Sequence, residues 1–371
     1  MKPLMFIKKK IALFIRKPIL PTERLRYKKI VDDKFHEAKN HNLKYLYDKQ
    51  EEKQWKNAFY KMLCANKNGH EILCAFTDNQ VELVNSSTRE DEGPILISIV
   101  KNEKKRIPTF LKHYRDMGIK HFSILDNDSN DGTGEWLCLQ DDCDVFHTSE
   151  AYSTQKREAW VNRLLSHYGH NRWYLVVDSD EHFVYPGMES QNINEFISSM
   201  KEKGYERVRS LMLDMYPKDN INLTTNEKDY TDQYSYFDKN SYKVTKEHFG
   251  IMVSGGPRKR IFNLDVYLTK HPLFYFNTGD IQGHSHYQYP YQKNKNLPCF
   301  TALLHYKFLN SDISKYEQRV KSGNFYNGSE EYKHYLKRFN NHDDFTFFYD
   351  GSIKYQNSDS LFEIEVIEKN Y

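Results

Sequence analysis

The sequence predicts an α/β fold, a mostly parallel sheet with helices on both faces, preceded by an N-terminal extension. Three observations carry this expectation. From residue 94 onward, short apolar runs alternate with amphipathic runs, as in a parallel sheet covered by helices. The runs "ILISIV" and "WYLVV" are apolar but for Ser98, as expected of strands buried on both faces. Each strand ends in polar residues, and in open α/β sheets the ligand crevice lies at the carboxyl ends of the strands. With 371 residues, 39% of them hydrophobic, the chain can build a sizeable core.

Element by element, the stretch to Gly93 is charged and irregular. It has helix-like runs near 30–64 and short strand-like runs, "EILCAF" and "QVELV", and the turn-forming "NSSTREDEGP" closes it. A boundary is placed there, which gives an extension over 1–93, an α/β domain over 94–345 and a tail over 346–371. Residues 95–100 form a buried strand. The helix "IPTFLKHYRDMG" follows, with Phe110, Leu111, Tyr114 and Met117 on one face. "HFSILD" is the second strand, and after "NDSNDGT" either Asp131 or Thr133 can cap the helix "GEWLCLQ". A strand at "CDVFH", a helix over 154–168 and the strand "WYLVVD" complete the alternation. A helix over 191–203 and the strand "RVRSLMLDMYP" extend it. The polar region 218–250 reads as loop-rich, "TALLHYKFL" as a late strand, and 312–340 as a polar helical run.

A net charge of +3 gives no electrostatic footprint for nucleic acid, and no nucleic-acid partner is expected. Aromatic residues make up 15% of the chain, which suits sugar or peptide surfaces but equally follows from compositional bias. Five cysteines, an odd number without a CxxC pair, read as reduced thiols in the cytoplasm. The N-terminus has apolar runs too short to span a bilayer and lacks a small-residue cleavage site. Lys8, Lys9, Lys10, Arg16 and Lys17 alternate there with Phe6, Ile7, Ile11, Leu13, Phe14 and Ile15. That pattern fits either a basic segment lying on anionic lipid at the inner face of the cytoplasmic membrane or an ordinary helix with a solvated basic face.

The chemistry concentrates in "YLVVDSDEHFVYP", where a buried strand ends in Asp178, Asp180 and Glu181. Residues two apart on a strand share a face, so Asp178 and Asp180 project together. Close carboxylates repel unless a cation intervenes, and a divalent ion with oxygen ligands, Mg²⁺ or Mn²⁺, is the common solution. As a bare triplet the motif also occurs in solvated turns. "ILDNDSNDGT" offers acids and amides after a strand, suited to a base N–H and ribose hydroxyls, or simply to a capped turn. Asn102, Glu103 and Arg106 of "KNEKKR" can line the same pocket or begin a helix.

Taken in order, "ISIVKNEKKRIPTFLKHYRDMGIKHFSILDNDSNDGTGEWL", "WYLVVDSDEHFVYP", "LMLDMYP", "GGPRKRIF", "KHPLFYF" and "LLHYKFL" resemble a bacterial group of family 2-like glycosyltransferases over about residues 94–345. The resemblance implies a GT-A-like, Rossmann-type fold, a nucleotide-sugar donor and a glycan or glycolipid acceptor of surface polysaccharide or lipooligosaccharide assembly. It further implies that Asp126, Asn127 and Asp131 contact the nucleoside near Asn102, Glu103 and Arg106, and that Asp178, Asp180 and the late His305 hold Mn²⁺ or Mg²⁺. Gly255 and Gly256 would allow close backbone approach, with Arg258 and Arg260 available to phosphate. Inversion requires a carboxylate base, for which Asp214 is chosen over Asp280 and Glu247. Two rivals remain at this stage. A nucleotidyltransferase would show a Gly- and Arg-rich loop after the first strand, and "VKNEKKR" has no glycine. A non-catalytic carbohydrate-binding scaffold is opposed by the intact acids at 178 and 180.

Overall fold

The computed structural model describes residues 20–38, 48–78, 80–88, 93–221, 224, 229–247, 250–323, 326–339 and 345–367. The basic N-terminal segment expected on a membrane surface lies outside them. No described helix is long and apolar enough to cross a membrane.

Three helices come first: α1 (Pro21–Ala38), α2 (Lys49–Ala65) and α3 (Gly69–Thr77). The run "EILCAF", expected as a strand, lies within α3. A six-residue apolar run does not separate strand from helix by periodicity, and here Ile72, Leu73 and Phe76 form the buried stripe of a helix. Strand β1 (Glu82–Asn85) follows, at "QVELV".

The alternation expected from residue 94 is then observed: β2 (Ile95–Val100), α4 (Ile107–Met117), β3 (His121–Asp126), α5 (Thr133–Cys138), β4 (Cys143–His147), α6 (Thr154–Tyr168) and β5 (Arg172–Val176). Local chemistry sets the boundaries. Pro108 fits the first turn of α4, where an N–H has no intrahelical partner, and Gly118 ends that helix at φ 101°, a left-handed conformation that glycine adopts without strain. Ser153 caps α6 by accepting from Lys156 N.

Beyond β5 come β6 (Glu181–Val184), α7 (Ile193–Glu202), β7 (Arg209–Asp214), the single turn α8 (Tyr230–Gln233), β8 (Tyr236–Asp238), β9 (Tyr242–Glu247), β10 (Gly250–Gly255) and α9 (Gly256–Phe262). The region expected to be loop-rich thus contains a hairpin of β9 and β10. The remaining elements are β11 (Thr269–Lys270), β12 (Leu273–Phe276), β13 (Ile281–His284), β14 (Tyr287–Tyr289), β15 (Cys299–His305), α10 (Ile313–Ser322), α11 (Tyr326–Phe339) and β16 (Ser352–Lys354).

The fold is α/β, with two mixed sheets flanked by helices rather than one mostly parallel sheet. The larger has the order β1-β4-β3-β2-β5-β12, parallel through its four central strands and antiparallel at both edges. The smaller has the order β11-β7-β15-β6, in which only β7 and β15 run parallel. Helices α1, α2, α3 and α6 bury Phe35, Trp55, Phe59, Phe76 and Trp160 against one face of the larger sheet, through Ile95, Ile97, Leu125 and Tyr174. The other face, through Leu96, Phe122, Ile124 and Leu175, joins a second core with α4, α7 and the smaller sheet. Phe345, Phe347, Leu361 and Ile364 near the C-terminus belong to that second core.

Two short connections between the sheets lie side by side. Val177–Asp180 lead from β5 to β6, and His271–Pro272 lead from β11 back to β12. The crossings touch, since Val176 N donates to Pro272 O at 2.9 Å.

Candidate functional site

The first connection carries Asp178 and Asp180, Lys270 ends the strand before the second, and the site forms where they meet. After β5 the chain leaves the strand and turns at residues 178–181, closed by Glu181 N donating to Asp178 O at 3.0 Å. The two-residue periodicity expected for Asp178 and Asp180 therefore does not operate, and the two carboxylates find different partners. In the smaller sheet, His305 on β15 stands opposite Glu181 on one side and Asp214 on the other. Residues in register across neighbouring strands share a face. The register thus aligns two carboxylates about one imidazole.

His305 Nδ1 lies 2.7 Å from Asp214 Oδ1, and its Nε2 lies 3.4 Å from Asp180 Oδ2. Arg258 Nε donates to Asp214 Oδ2 at 2.8 Å, so both oxygens of that buried carboxylate are engaged. Glu181 is also buried: its Oε1 receives Lys270 Nζ at 2.5 Å and its Oε2 accepts from Asp178 N at 3.2 Å. One donor atom each from Asp180, Glu181 and His305 lies within 4.8 Å of the others, a spacing that can hold a metal ion. Asp178 is instead held by Arg157 Nη2 at 2.5 Å and Lys270 Nζ at 2.9 Å.

The electrostatics follow from this packing. Burial disfavours charge on Asp180, yet His305, then Arg106, hold its carboxyl well below the ordinary range. Burial likewise opposes the charged form of Asp214, but Arg258 and His305 outweigh it and keep the group at about 2. His305 is raised because the two aspartates overcome its desolvation. Glu181 is raised by burial, which Lys270 only partly offsets.

The donor set fits a divalent ion. When His305 is neutral and donates its Nδ1–H to Asp214, the Nε2 lone pair faces Asp180, the carboxylate–histidine arrangement that orients metal-bound imidazoles. A carboxylate and a neutral imidazole can together hold a divalent ion.

The residues expected around a nucleoside lie at the end of β3 and on the loops after β2 and β3; Glu103 and Arg106 pair with each other, and the others bind neighbouring residues. Asn102, at φ 55°, accepts from Asn130 N at 2.9 Å. Glu103 pairs with Arg106 at 2.7 Å and with Lys315 at 2.9 Å, and Arg106 also reaches Asp312 and Tyr306 O. Asn127 donates to Thr148 O and Glu150 O. Asp131 accepts from Lys104 N and Thr133 N, and Asp126 accepts from Ser129. Gly255 packs against the chain's own backbone, where a β-carbon would lie only 2.0 Å from Ser241 O. Arg258 and Arg260 face carboxylates, Asp214 and Asp238 respectively. Of the other acids weighed as a base, Asp280 is buried beside Arg207 at 3.3 Å, and Glu247 is half-buried at the end of β9.

Sequence reasoning did not single out Arg157 and Lys270, though both leave a signal. Arg157 falls on the stripe of α6 that carries Trp160, Val161 and Leu164, and Lys270 interrupts the apolar run around β11 and β12. A cation in a buried position requires a carboxylate. On the opposite face of the smaller sheet, His182, Met215, Leu304 and Tyr306 line a cavity of about 660 Å³ that also contains His113 and Lys112.

No protein-family model matches the chain, and no curated protein matches it. Among solved structures, it is similar to the crystal structure of S. aureus TarS 1-349, with 13% identity and a TM-score of 0.29, over 62% of this chain and 64% of that one. It thus spans somewhat less than two thirds of that chain's length. It is also similar to the crystal structure of HddC from Yersinia pseudotuberculosis, with 11% identity and a TM-score of 0.28, over 60% of this chain and 97% of the other.

Proposed function

We propose that this chain is a metal-dependent glycosyltransferase of GT-A type, moving a sugar from a nucleotide-sugar donor to a glycan or glycolipid acceptor in bacterial surface polysaccharide or lipooligosaccharide assembly. One observation carries the reading: five motifs of the family resemblance, scattered over 130 residues of sequence, send side chains to one cluster. "VVDSDE" supplies Asp178, Asp180 and Glu181, "LMLDMYP" supplies Asp214, "GGPRKRIF" supplies Arg258, "KHPLFYF" supplies Lys270, and "LLHYKFL" supplies His305.

In this reading Asp180 and His305 would hold a divalent ion, which would supply positive charge against the negative charge of a departing nucleoside diphosphate. Asp214 orients His305. With both oxygens bonded and its carboxyl held low, it is a poor acceptor for a proton from a sugar hydroxyl, so it serves as a positioning group rather than as the base. The loops carrying Asn102, Asp126 and Asp131 flank the nucleoside, and residues 1–17 hold the protein at the inner face of the cytoplasmic membrane.

The test is to incubate the protein with a panel of nucleotide sugars and Mn²⁺ and follow nucleoside diphosphate release. At least one donor should turn over, and Asp180→Asn or His305→Ala should reduce the rate by about 10²-fold or more. Wild-type rates in both variants would reject the metal assignment, and silence with every donor would reject the transferase.

A further inference from the structure

Asp178, expected beside the metal, is covered by two buried cations, and each of these touches a second buried carboxylate. Lys270 bridges Asp178 and Glu181 at 2.9 and 2.5 Å. Arg157 binds Asp178 through Nη2 at 2.5 Å, while its Nη1 faces Glu158 Oε1 at 3.5 Å. The last contact is too long for a good hydrogen bond. Glu158 is 2% exposed and Arg157 5% exposed, yet neither Glu158 oxygen nor Arg157 Nη1 has a hydrogen-bond partner of good geometry; the Gln282 side chain, near enough to Glu158 to ease its charge, donates instead to His284 O.

A buried carboxylate without hydrogen bonds is costly, and a solution in which it is merely left over is disfavoured. The arrangement makes sense as half of a pair of states. Arg157 stands between two carboxylates, hydrogen-bonded to one through Nη2 and within a short side-chain movement of the other.

We propose that Glu158 is the receiving carboxylate for Arg157, a positioning residue that frees Asp178 for a divalent ion. The inference rests on the metal site of the proposed function. Arg157 and Lys270 neutralise Asp178. An ion held by Asp180 and His305 would attract Asp178 and repel both cations. Lys270 keeps Glu181, and Arg157 passes to Glu158. No charge is left buried and unpaired, because each displaced cation already has its second partner in reach. Without Glu158, the guanidinium would have to stay on Asp178 or sit uncompensated beside the ion.

The test measures Mn²⁺ affinity on the full chain without donor, by electron paramagnetic resonance of free Mn²⁺ and by calorimetry, with melting temperature followed in parallel. Glu158→Gln keeps the size of the side chain and removes its charge, and should weaken Mn²⁺ binding by about tenfold or more. Adding Arg157→Met removes the competing cation and should restore affinity toward wild type, a coupling that a purely structural Glu158 would not produce. Wild-type affinity in Glu158→Gln, or a double variant that binds no better than it, overturns the proposal. Asp180→Asn separates this from the metal reading. If Asp180→Asn loses Mn²⁺ while Glu158→Gln does not, only the transfer of Arg157 fails. If the wild type itself binds no Mn²⁺, the metal site and the transfer both fall.

Discussion

Replacing Glu158 by glutamine should stabilise the protein at alkaline pH and leave it unchanged at acid pH. Burial is the largest influence on this carboxyl; Arg157 opposes it and Asp178 reinforces it, and the net effect raises the group from 4.5 to about 7. A folded-state value above the unfolded one means that the folded state binds the proton more tightly. That stabilisation is complete below about 4.5 and is lost as pH rises through about 7. At 1.36 kcal/mol for each pH unit, the change across this window is about 3 kcal/mol. Glutamine is neutral throughout, so it matches the protonated acid at pH 4.5 and avoids the buried charge at pH 8. For a chain of this length the difference corresponds to a melting shift on the order of 5 °C at pH 8. The assay is thermal unfolding of both proteins from pH 4.5 to 8.5 with chelator present. Were Glu158 instead bound firmly to Arg157, the glutamine variant would be the less stable at pH 8. That outcome, or a difference independent of pH, would refute the reasoning. Higher stability together with weaker Mn²⁺ binding is a combination that a simple packing role does not give.

Asp214→Asn should lower Mn²⁺ affinity by roughly 10- to 100-fold, because the amide no longer fixes the tautomer of His305; unchanged affinity with a collapse of the chemical step would make Asp214 the base after all. Tyr114→Phe removes the hydroxyl that donates to Glu181 O at 2.8 Å and accepts from Phe183 N at 3.0 Å. Chemical denaturation should show a loss of about 1–3 kcal/mol, and a neutral result would mean that the two backbone groups find other partners. Deleting residues 1–20 should reduce binding to anionic liposomes while nucleotide-sugar turnover stays near wild type; equal sedimentation with vesicles in both proteins would remove the membrane role.

The parts of the fold legible in the sequence were those governed by local rules. Strands β2, β3 and β5 were visible because burial on both faces makes their runs predominantly apolar, and α4 and α6 because amphipathic spacing and caps are written within a dozen residues. "EILCAF" was misread because its neighbours α2 and α6, not its own six residues, decide that it is a helix. The second sheet was hidden for a related reason. Its strands β6, β7, β11 and β15 come from four separate parts of the chain, and the antiparallel returns are not implied by an alternation of strands and helices.

The site divides along the same line. Asp180, Asp214 and His305 could be named because acids and imidazoles at strand ends are conspicuous, but what each one does depends on partners that the motifs do not contain. Asp178 and Asp180 stand two residues apart and look equivalent in sequence. The turn between the sheets sends one to Arg157 and Lys270 and the other to His305. The cations that make this distinction lie 21 and 92 residues from Asp178, and they sit in apolar surroundings where a charge has no business unless an acid awaits it. Searching a sequence for acids alone therefore finds the ligands of a site of this kind. Searching also for arginines and lysines on buried faces finds the groups that decide when those ligands are free.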